Sequence, residues 1–227
     1  RVAIFPMDVT DDDACVDLFK KAAYEFDGVH ILVNNAGEHT RGDVVDVEAG
    51  DLARMIDVNL RAPIVLSRIA LRYLEEQDEA AIINVGSLAG RTPVPGSTTY
   101  AATKAGLRFF TLALAEELRD SPIKVGLVSP GPVDTGFILA DIDQTADITL
   151  SQPMSTAEEV AQAILDLCGN TQREVTMPRI TGVLTTLTYL WPWIGRQMRP
   201  VLERKGRRFK EKFKAAQKRR ESDSPAP

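Results

Sequence analysis

Apolar residues along the chain fall into two alternating patterns. Short unbroken runs at residues 2–5 (Val-Ala-Ile-Phe), 29–33 (Val-His-Ile-Leu-Val), 80–85 (Ala-Ala-Ile-Ile-Asn-Val) and 123–128 (Ile-Lys-Val-Gly-Leu-Val) read as buried strands, and residues 174–177 read as a short last one. Between them lie stretches with a helical period. Ala14, Leu18, Ala22 and Phe26 share one face while Lys20, Lys21 and Glu25 point elsewhere. The acidic residues 11–13 suit that helix's first turn, where carboxylates meet the positive dipole end, and Gly28 closes it. Long helical regions are expected at 49–74 and 98–118. A shorter one is expected at 157–167, with Ser155 or Thr156 as N-cap and Glu158 and Glu159 in its first turn. No internal repeat is visible, and no linker precedes the C-terminal tail. Continuous apolar strands separated by amphipathic helices predict an α/β fold, a doubly wound parallel sheet covered on both faces. Ligands of such sheets bind beyond the carboxyl ends of the strands, so Asp8, residues 34–37, Ser87 and residues 130–135 are the positions to inspect.

The chain has 227 residues, 44% of them hydrophobic and 26% charged, which fits one globular domain and excludes a disordered polymer, a collagen-like rod or a disulfide mini-protein. The formal net charge of −5 is unevenly spread: residues 1–195 carry −13 and residues 196–227 carry +8. An acidic body with a basic tail is a first clue to a partner. Cys15 and Cys168 lie far apart in helical contexts, as expected of two thiols in a reducing compartment. With two histidines and no close Cys/His spacing, the composition argues against a transition-metal site. No signal peptide is visible, so the expectation is a cytoplasmic protein, with contact at a membrane surface left open by the tail; the start at Arg1 rather than Met leaves room for a targeting segment ahead of it.

One pair carries acid–base chemistry. Tyr100-Ala-Ala-Thr-Lys104 places a phenol and an ammonium one helical turn apart, and the cation is expected to lower the tyrosine pKa from about 10 toward usable values. Ser87, after the strand at 80–85, can reach the same space and hydrogen-bond a substrate oxygen. Taken alone, a Tyr and a Lys four apart are usually an exposed helix pair. The joint order is far more specific: Asn34-Asn-Ala-Gly37, then Asn59, Ser87, Tyr100-x-x-x-Lys104 and Pro130-Gly131.

That order, across residues 2–177, resembles the short-chain dehydrogenase/reductase family in its short single-domain branch. The resemblance implies a Rossmann-type doubly wound sheet and reversible hydride transfer between NAD or NADP and an alcohol or carbonyl substrate. It implies Tyr100 as catalytic acid/base, Ser87 as the group orienting the carbonyl or hydroxyl, and Lys104 as the residue holding the nicotinamide ribose while tuning the tyrosine. Asn59 would support a proton relay through water. Asp8 and Val9 would contact the adenine ring, Asn35, Ala36 and Gly37 would lie against the cofactor, and Pro130, Gly131, Val133 and Thr135 would meet the nicotinamide carboxamide. Singly, each has a plainer explanation: a capping Asp8, a turn at residues 34–37, a helix-stopping Pro130. Residues 137–154 and the tail would set the substrate.

The family's Gly-rich phosphate-binding turn is not found ahead of Asp8, and by the family layout about fifty residues, two strands with their helices, would precede this chain. The chain therefore reads as an N-terminally shortened record, with residues 1–179 as the Rossmann domain and the strand at 2–5 left as an orphan. Residues 180–194 are apolar with Tyr189, Trp191 and Trp193, short for a membrane span and interrupted by Pro192. Residues 196–220 read as a basic helix carrying Met198, Val201, Leu202, Phe209 and Phe213, a combination that suits an anionic membrane surface. A helix closing the substrate pocket, a subunit contact and a solvated tail are the alternatives. The acidic body opposes nucleic-acid binding, a homo-oligomer is expected, and residues 221–227 are expected to be disordered. The competing functional reading is a non-enzymatic, membrane-peripheral interaction protein derived from such a dehydrogenase; the intact Ser87, Tyr100, Lys104 and Asn59 count against it. A sugar-nucleotide epimerase or dehydratase shares Tyr-x-x-x-Lys but usually carries a longer C-terminal substrate region.

Overall fold

The computed structural model describes residues 1–139 and 142–223. Its centre is a four-stranded, all-parallel sheet of β1 (Ile31–Asn34), β2 (Ala80–Val85), β3 (Ile123–Pro130) and β4 (Glu174–Met177), in that spatial order. Chain order between them also includes α1 (Asp12–Phe26) ahead of β1, and α2 (Ala49–Ile56) and α3 (Ala62–Leu74) ahead of β2. Helix α4 (Thr98–Glu117) links β2 to β3, and α5 (Gly136–Leu139) and α6 (Ala157–Gly169) link β3 to β4. Helices α7 (Arg179–Leu190) and α8 (Pro192–Asp223) follow. The expected α/β class is what forms.

Both faces of the sheet are covered. On one, Ile82, Ile123 and Val125 pack with Cys15 and Phe19 of α1, Leu66, Ala70 and Leu74 of α3, and Leu114 of α4. On the other, Ala81, Ile83 and Val128 pack with Leu167 of α6. Ile82 and Ile83 are fully buried on opposite faces, each worth about 2 kcal/mol of apolar burial. Asp11 caps α1 by accepting from the N–H groups of Asp13 and Ala14, and Asp27 in the left-handed region followed by Gly28 at φ 132° ends it. At α6 the Thr156 hydroxyl and the Glu159 carboxylate form a complete capping box.

Three expectations need correction. Residues 2–5 form no strand: they run extended with Val2 and Ile4 largely exposed, because an apolar run becomes a strand only where a neighbour supplies ladder partners, and no described strand flanks them. The single helix expected at 49–74 is divided. Between α2 and α3 the turn Asp57–Arg61 widens to π geometry, with the Ala62 N–H bonded five residues back to Asp57. Pro63 lies just beyond and has no N–H to give the fourth residue before it, Asn59, so the regular ladder is broken there. Finally, α8 begins at Pro192, a residue pre-set for a first helical turn, and reaches Asp223, so residues 221–223 are helical where disorder was expected; residues 224–227 lie outside the described residues.

Candidate active site

The residues that carry chemistry are brought together by three buried constructions. The first is a polar core under β1 and β2. Asn34 Nδ2 donates to Asn84 Oδ1 at 2.8 Å, and Asn84 Nδ2 donates to Thr111 Oγ1 of α4 at 2.8 Å. This ties the ends of β1 and β2 to α4, and all three side chains are buried. The second is Asn59, wholly buried on the π turn. Its Oδ1 accepts from the Glu38 N–H at 2.9 Å and its Nδ2 donates to the Glu38 carbonyl at 2.8 Å, which fixes the loop leaving β1 just after Gly37. The third is Gly90. A Cβ there would stand 2.6 Å from the Lys104 carbonyl carbon, so only glycine lets the turn Leu88–Arg91 lie against the backbone of α4. Ser87, the N-cap of that turn, is thereby delivered to Tyr100.

Ser87, Tyr100 and Lys104 line one large cavity of about 1390 Å³ with Asn35, Ala36 and Gly37 and with Pro130, Gly131, Val133 and Thr135. Asn59 stands behind it as the clamp on Glu38. Asp8 and Val9 line a separate cleft of about 370 Å³ that shares Ala36 and Gly37 with the large one. There Asp8 accepts from the Thr10 N–H and hydroxyl, which hold its carboxyl below the usual range, and it lies 3.6 Å from Arg54. Small residues at 36 and 37 separate the two spaces, and a Cβ on Gly37 would be 3.2 Å from Asn59 Oδ1 and 3.7 Å from Lys104 Nζ. The side-chain-poor backbone at Ala36 and Gly37 thus joins the cleft at Asp8 to the cavity at Lys104, a path with room for an elongated cofactor.

The electrostatics differ from the expectation for the Tyr–Lys pair. Burial raises the Tyr100 pKa above that of a free phenol, and the Ser87 hydroxyl and the charge of Arg41 offset only part of this. Lys104 is itself buried, and burial pushes it down to about 8. Its Nζ donates to the Val85 carbonyl at 2.9 Å and lies 5.8 Å from the Tyr100 ring centre, so the ammonium is directed at the end of β2 rather than at the phenol. Helical spacing places the two residues on one face but does not set where a four-carbon stem points.

His39, Arg41 and Phe137 also belong to this site; His39 and Arg41 carried no sequence signal beyond proximity to residues 34–37, and Phe137 opens the 137–154 segment expected to set the substrate. The His39 ring stacks on Tyr100 at 4.1 Å, and burial together with Arg41 and Lys104 lowers its pKa to about 3, keeping it neutral. Its Nε2 is buried with no hydrogen-bond partner among the described residues. Arg41 donates to the Phe137 carbonyl at 3.0 Å and lies over that ring.

The far wall comes from residues 137–138 and 145–153 and from α7 and α8. Glu174 of β4 holds it in place: burial alone would raise its carboxyl, but bonds from Arg108 and Arg91 outweigh that and keep it low. Arg108 is bidentate at 2.8–3.1 Å, and Arg91 reaches on to the hydroxyls of Thr185 and Thr186 in α7. A Cβ on Gly182 would fall 2.0 Å from Thr176 Oγ1, so α7 packs directly on β4. Helix α8 is seated on the segment before α6. Phe209 and Phe213 pack on Ile138, Ile142 and Leu150, while Arg207 and Lys210 pair with Asp147 at 3.3 and 3.2 Å and Lys214 pairs with Asp143. Among the described residues, no group of three or more His, Cys, Asp or Glu side chains could hold a metal ion.

A parallel α/β sheet with Ser, Tyr and Lys gathered beyond its strand ends defines a dehydrogenase-like architecture, and sequence comparison agrees. The family model described as short chain dehydrogenase matches residues 1–147. An uncharacterized oxidoreductase of Staphylococcus aureus (strain MRSA252) is 34% identical over 163 residues, which span 72% of this chain and 70% of that protein. Nodulation protein G of Rhizobium sp. (strain N33) is 33% identical over 180 residues, 78% of this chain and 74% of its own length. The chain belongs to the short chain dehydrogenase family and is an oxidoreductase of that type.

Proposed function

We propose that this protein interconverts an alcohol and a ketone or aldehyde with NAD or NADP, with Tyr100 as the proton donor and acceptor. The gathering of Ser87, Tyr100 and Lys104 on one wall of the large cavity, beside the side-chain-poor segment 35–37, is the observation that supports it. The cofactor, when bound, supplies or accepts the hydride. Residues Asn35 to Gly37, Lys104 and the loop Pro130–Thr135 would hold its nicotinamide half, and Asp8 and Val9 its adenine end. Ser87 holds the substrate oxygen against the Tyr100 hydroxyl. Because burial keeps Tyr100 protonated at neutral pH, it is primed to give its proton to the oxygen of a carbonyl being reduced. Lys104, fixed to Val85, serves as an anchored cation beneath the ribose rather than as a direct partner of the phenol.

Spectroscopic assay of NADH and NADPH oxidation against a panel of ketones and aldehydes tests this. Carbonyl-dependent turnover is expected with one of the two, reduced at least about a hundredfold by Ser87→Ala. Equal rates for the two proteins would refute the assignment.

A lipophilic substrate and a membrane-surface location are part of the same proposal. Leu190 of α7, Trp191 between the helices, and Trp193 and Val201 of α8 are all about half or more exposed, beside the basic residues of α8. No helix among the described residues is long and apolar enough to cross a membrane. Full-length protein is expected to pellet with anionic vesicles, and Trp191→Ser/Trp193→Ser to remain in the supernatant; equal pelleting of both forms would remove the membrane element.

A further inference from the structure

The cavity that holds Tyr100 would also take the nicotinamide half of the cofactor, and it runs on from the strand ends to α7 and α8. Near the strand ends Ser87, Tyr100 and Lys104 line it among Val85, Leu88 and Val133. Toward α7 and α8 it is lined by Ile180, Leu184, Pro192, Met198 and Leu202. The same lining then includes three cations, Arg196, Arg199 and Lys205, all exposed, which places them at the opening. Arg199 shares its charge with Glu203 at 2.6 Å. Arg196 and Lys205 have neither a hydrogen-bond nor an ion-pair partner among the described residues.

This arrangement is local. Residues 1–195 carry a net −13, which repels anions from the body as a whole. The positive opening is kept in place by separate contacts further along α8: Phe209 and Phe213 in the apolar cluster, and Arg207, Lys210 and Lys214 on the acids of the segment before α6. A Cβ on Gly206 would fall 1.6 Å from the Asp147 carbonyl, so helix and segment are in backbone contact one residue from Lys205. Arg207, Lys210 and Lys214 are thus used by the fold, whereas Arg196 and Lys205 at the opening are not.

We infer that the substrate is an anionic amphiphile: a carbonyl or hydroxyl compound with an apolar chain and a terminal carboxylate or phosphate. The chain lies along the α7–α8 wall, its reacting carbon reaches Tyr100 and Ser87, and its anionic group is held at the opening by Arg196, Arg199 and Lys205. The inference rests on the oxidoreductase reading for the position of the reacting carbon, but the head-group site can be tested without turnover.

The test is calorimetric titration of the full chain with dodecanoate, dodecyl phosphate and methyl dodecanoate, each below its micelle concentration and with no vesicles present. At least one of the two anions is expected to bind at least about tenfold more tightly than the ester. The triple variant Arg196→Gln/Arg199→Gln/Lys205→Gln is expected to lose that preference while binding the ester unchanged. A preference confined to dodecyl phosphate would identify the head group as a phosphate, and one confined to dodecanoate a carboxylate. If the triple variant does not fold, salt decides on the wild type. Raising it from about 0.05 to about 0.5 M is expected to weaken anion binding and leave the ester unaffected. Ester and both anions binding alike, or an anion preference that survives in the triple variant or in high salt, would overturn the inference. Tyr100→Phe separates the two claims: it is expected to lower turnover by about a thousandfold and keep anion binding, whereas turnover that persists in it at the wild-type rate would sink the proton-transfer role of Tyr100 alone.

Discussion

The strand-end cluster and the α7–α8 cover are built on opposite principles. Around Ser87, Tyr100 and Lys104 the supporting polar side chains are buried and mostly bonded, Asn34 to Asn84, Asn84 to Thr111, Asn59 to Glu38 and Lys104 to Val85, with Asn34 Oδ1 and His39 Nε2 left without a partner among the described residues. Such a network tolerates little displacement, which suits a site where proton transfer needs fixed geometry. The cover instead exposes much of its apolar surface and is held at a few points, Glu174 with its two arginines at one end and the Phe209–Phe213 and Asp147 contacts at the other. A region held at points can differ in shape without disturbing the network beneath it. On the proposed function, reaction type and substrate choice fall to separate parts of one chain.

The contrast can be sharpened by mutation. The largest effect on stability is expected from Glu174→Gln, which leaves Arg91 and Arg108 part-buried without their shared counter-charge. It should cost about 3 kcal/mol, read as a fall in the denaturant midpoint. A change below about 0.5 kcal/mol would show that the clamp on α7 is not structural. Phe209→Ala/Phe213→Ala should act on the cover alone, by about 2 kcal/mol of lost burial. Limited proteolysis is expected to cut α8 faster while the remaining body keeps its hydrogen-exchange protection. Loss of protection throughout would contradict the division.

At neutral pH the smallest expected effect is at His39, whose contribution develops only as the pH falls. Its folded pKa of about 3 lies below the ordinary value of 6.5, so the unfolded chain binds the extra proton between those values and stability falls as pH drops through them. The slope contributed there is at most about 1.4 kcal/mol per pH unit. His39→Asn should flatten the dependence of unfolding free energy on pH between about 6.5 and 4, and an unchanged slope would remove the buried neutral histidine.

How much of this was legible in the sequence depended on whether the cause was local. Strand β2 appeared at its exact residues because Ala80–Val85 is apolar on both faces, and the α6 capping box was readable because Thr156 and Glu159 sit at fixed spacing. The order of Ser87, Tyr100 and Lys104 along the chain pointed to one site, and the fold places all three on one cavity. Features set by tertiary contact were not legible. A four-residue apolar run at 2–5 says nothing about whether a neighbour will pair with it. The direction of the Lys104 stem depends on the Val85 carbonyl, and so the pKa expected of Tyr100 from spacing had the wrong sign. The seating of α8 depends on Asp143 and Asp147, acids in a segment with no motif of its own. His39 is one ring in a polar loop until the fold stacks it on Tyr100.

The central claim is that Tyr100 moves the proton, and single-turnover reduction of a bound carbonyl compound, followed by the loss of reduced-nicotinamide absorbance in wild type and Tyr100→Phe, tests it most directly. The account expects the rate to fall by about a thousandfold in the variant with dinucleotide affinity within about threefold of wild type. A variant that transfers hydride at the wild-type rate would contradict it.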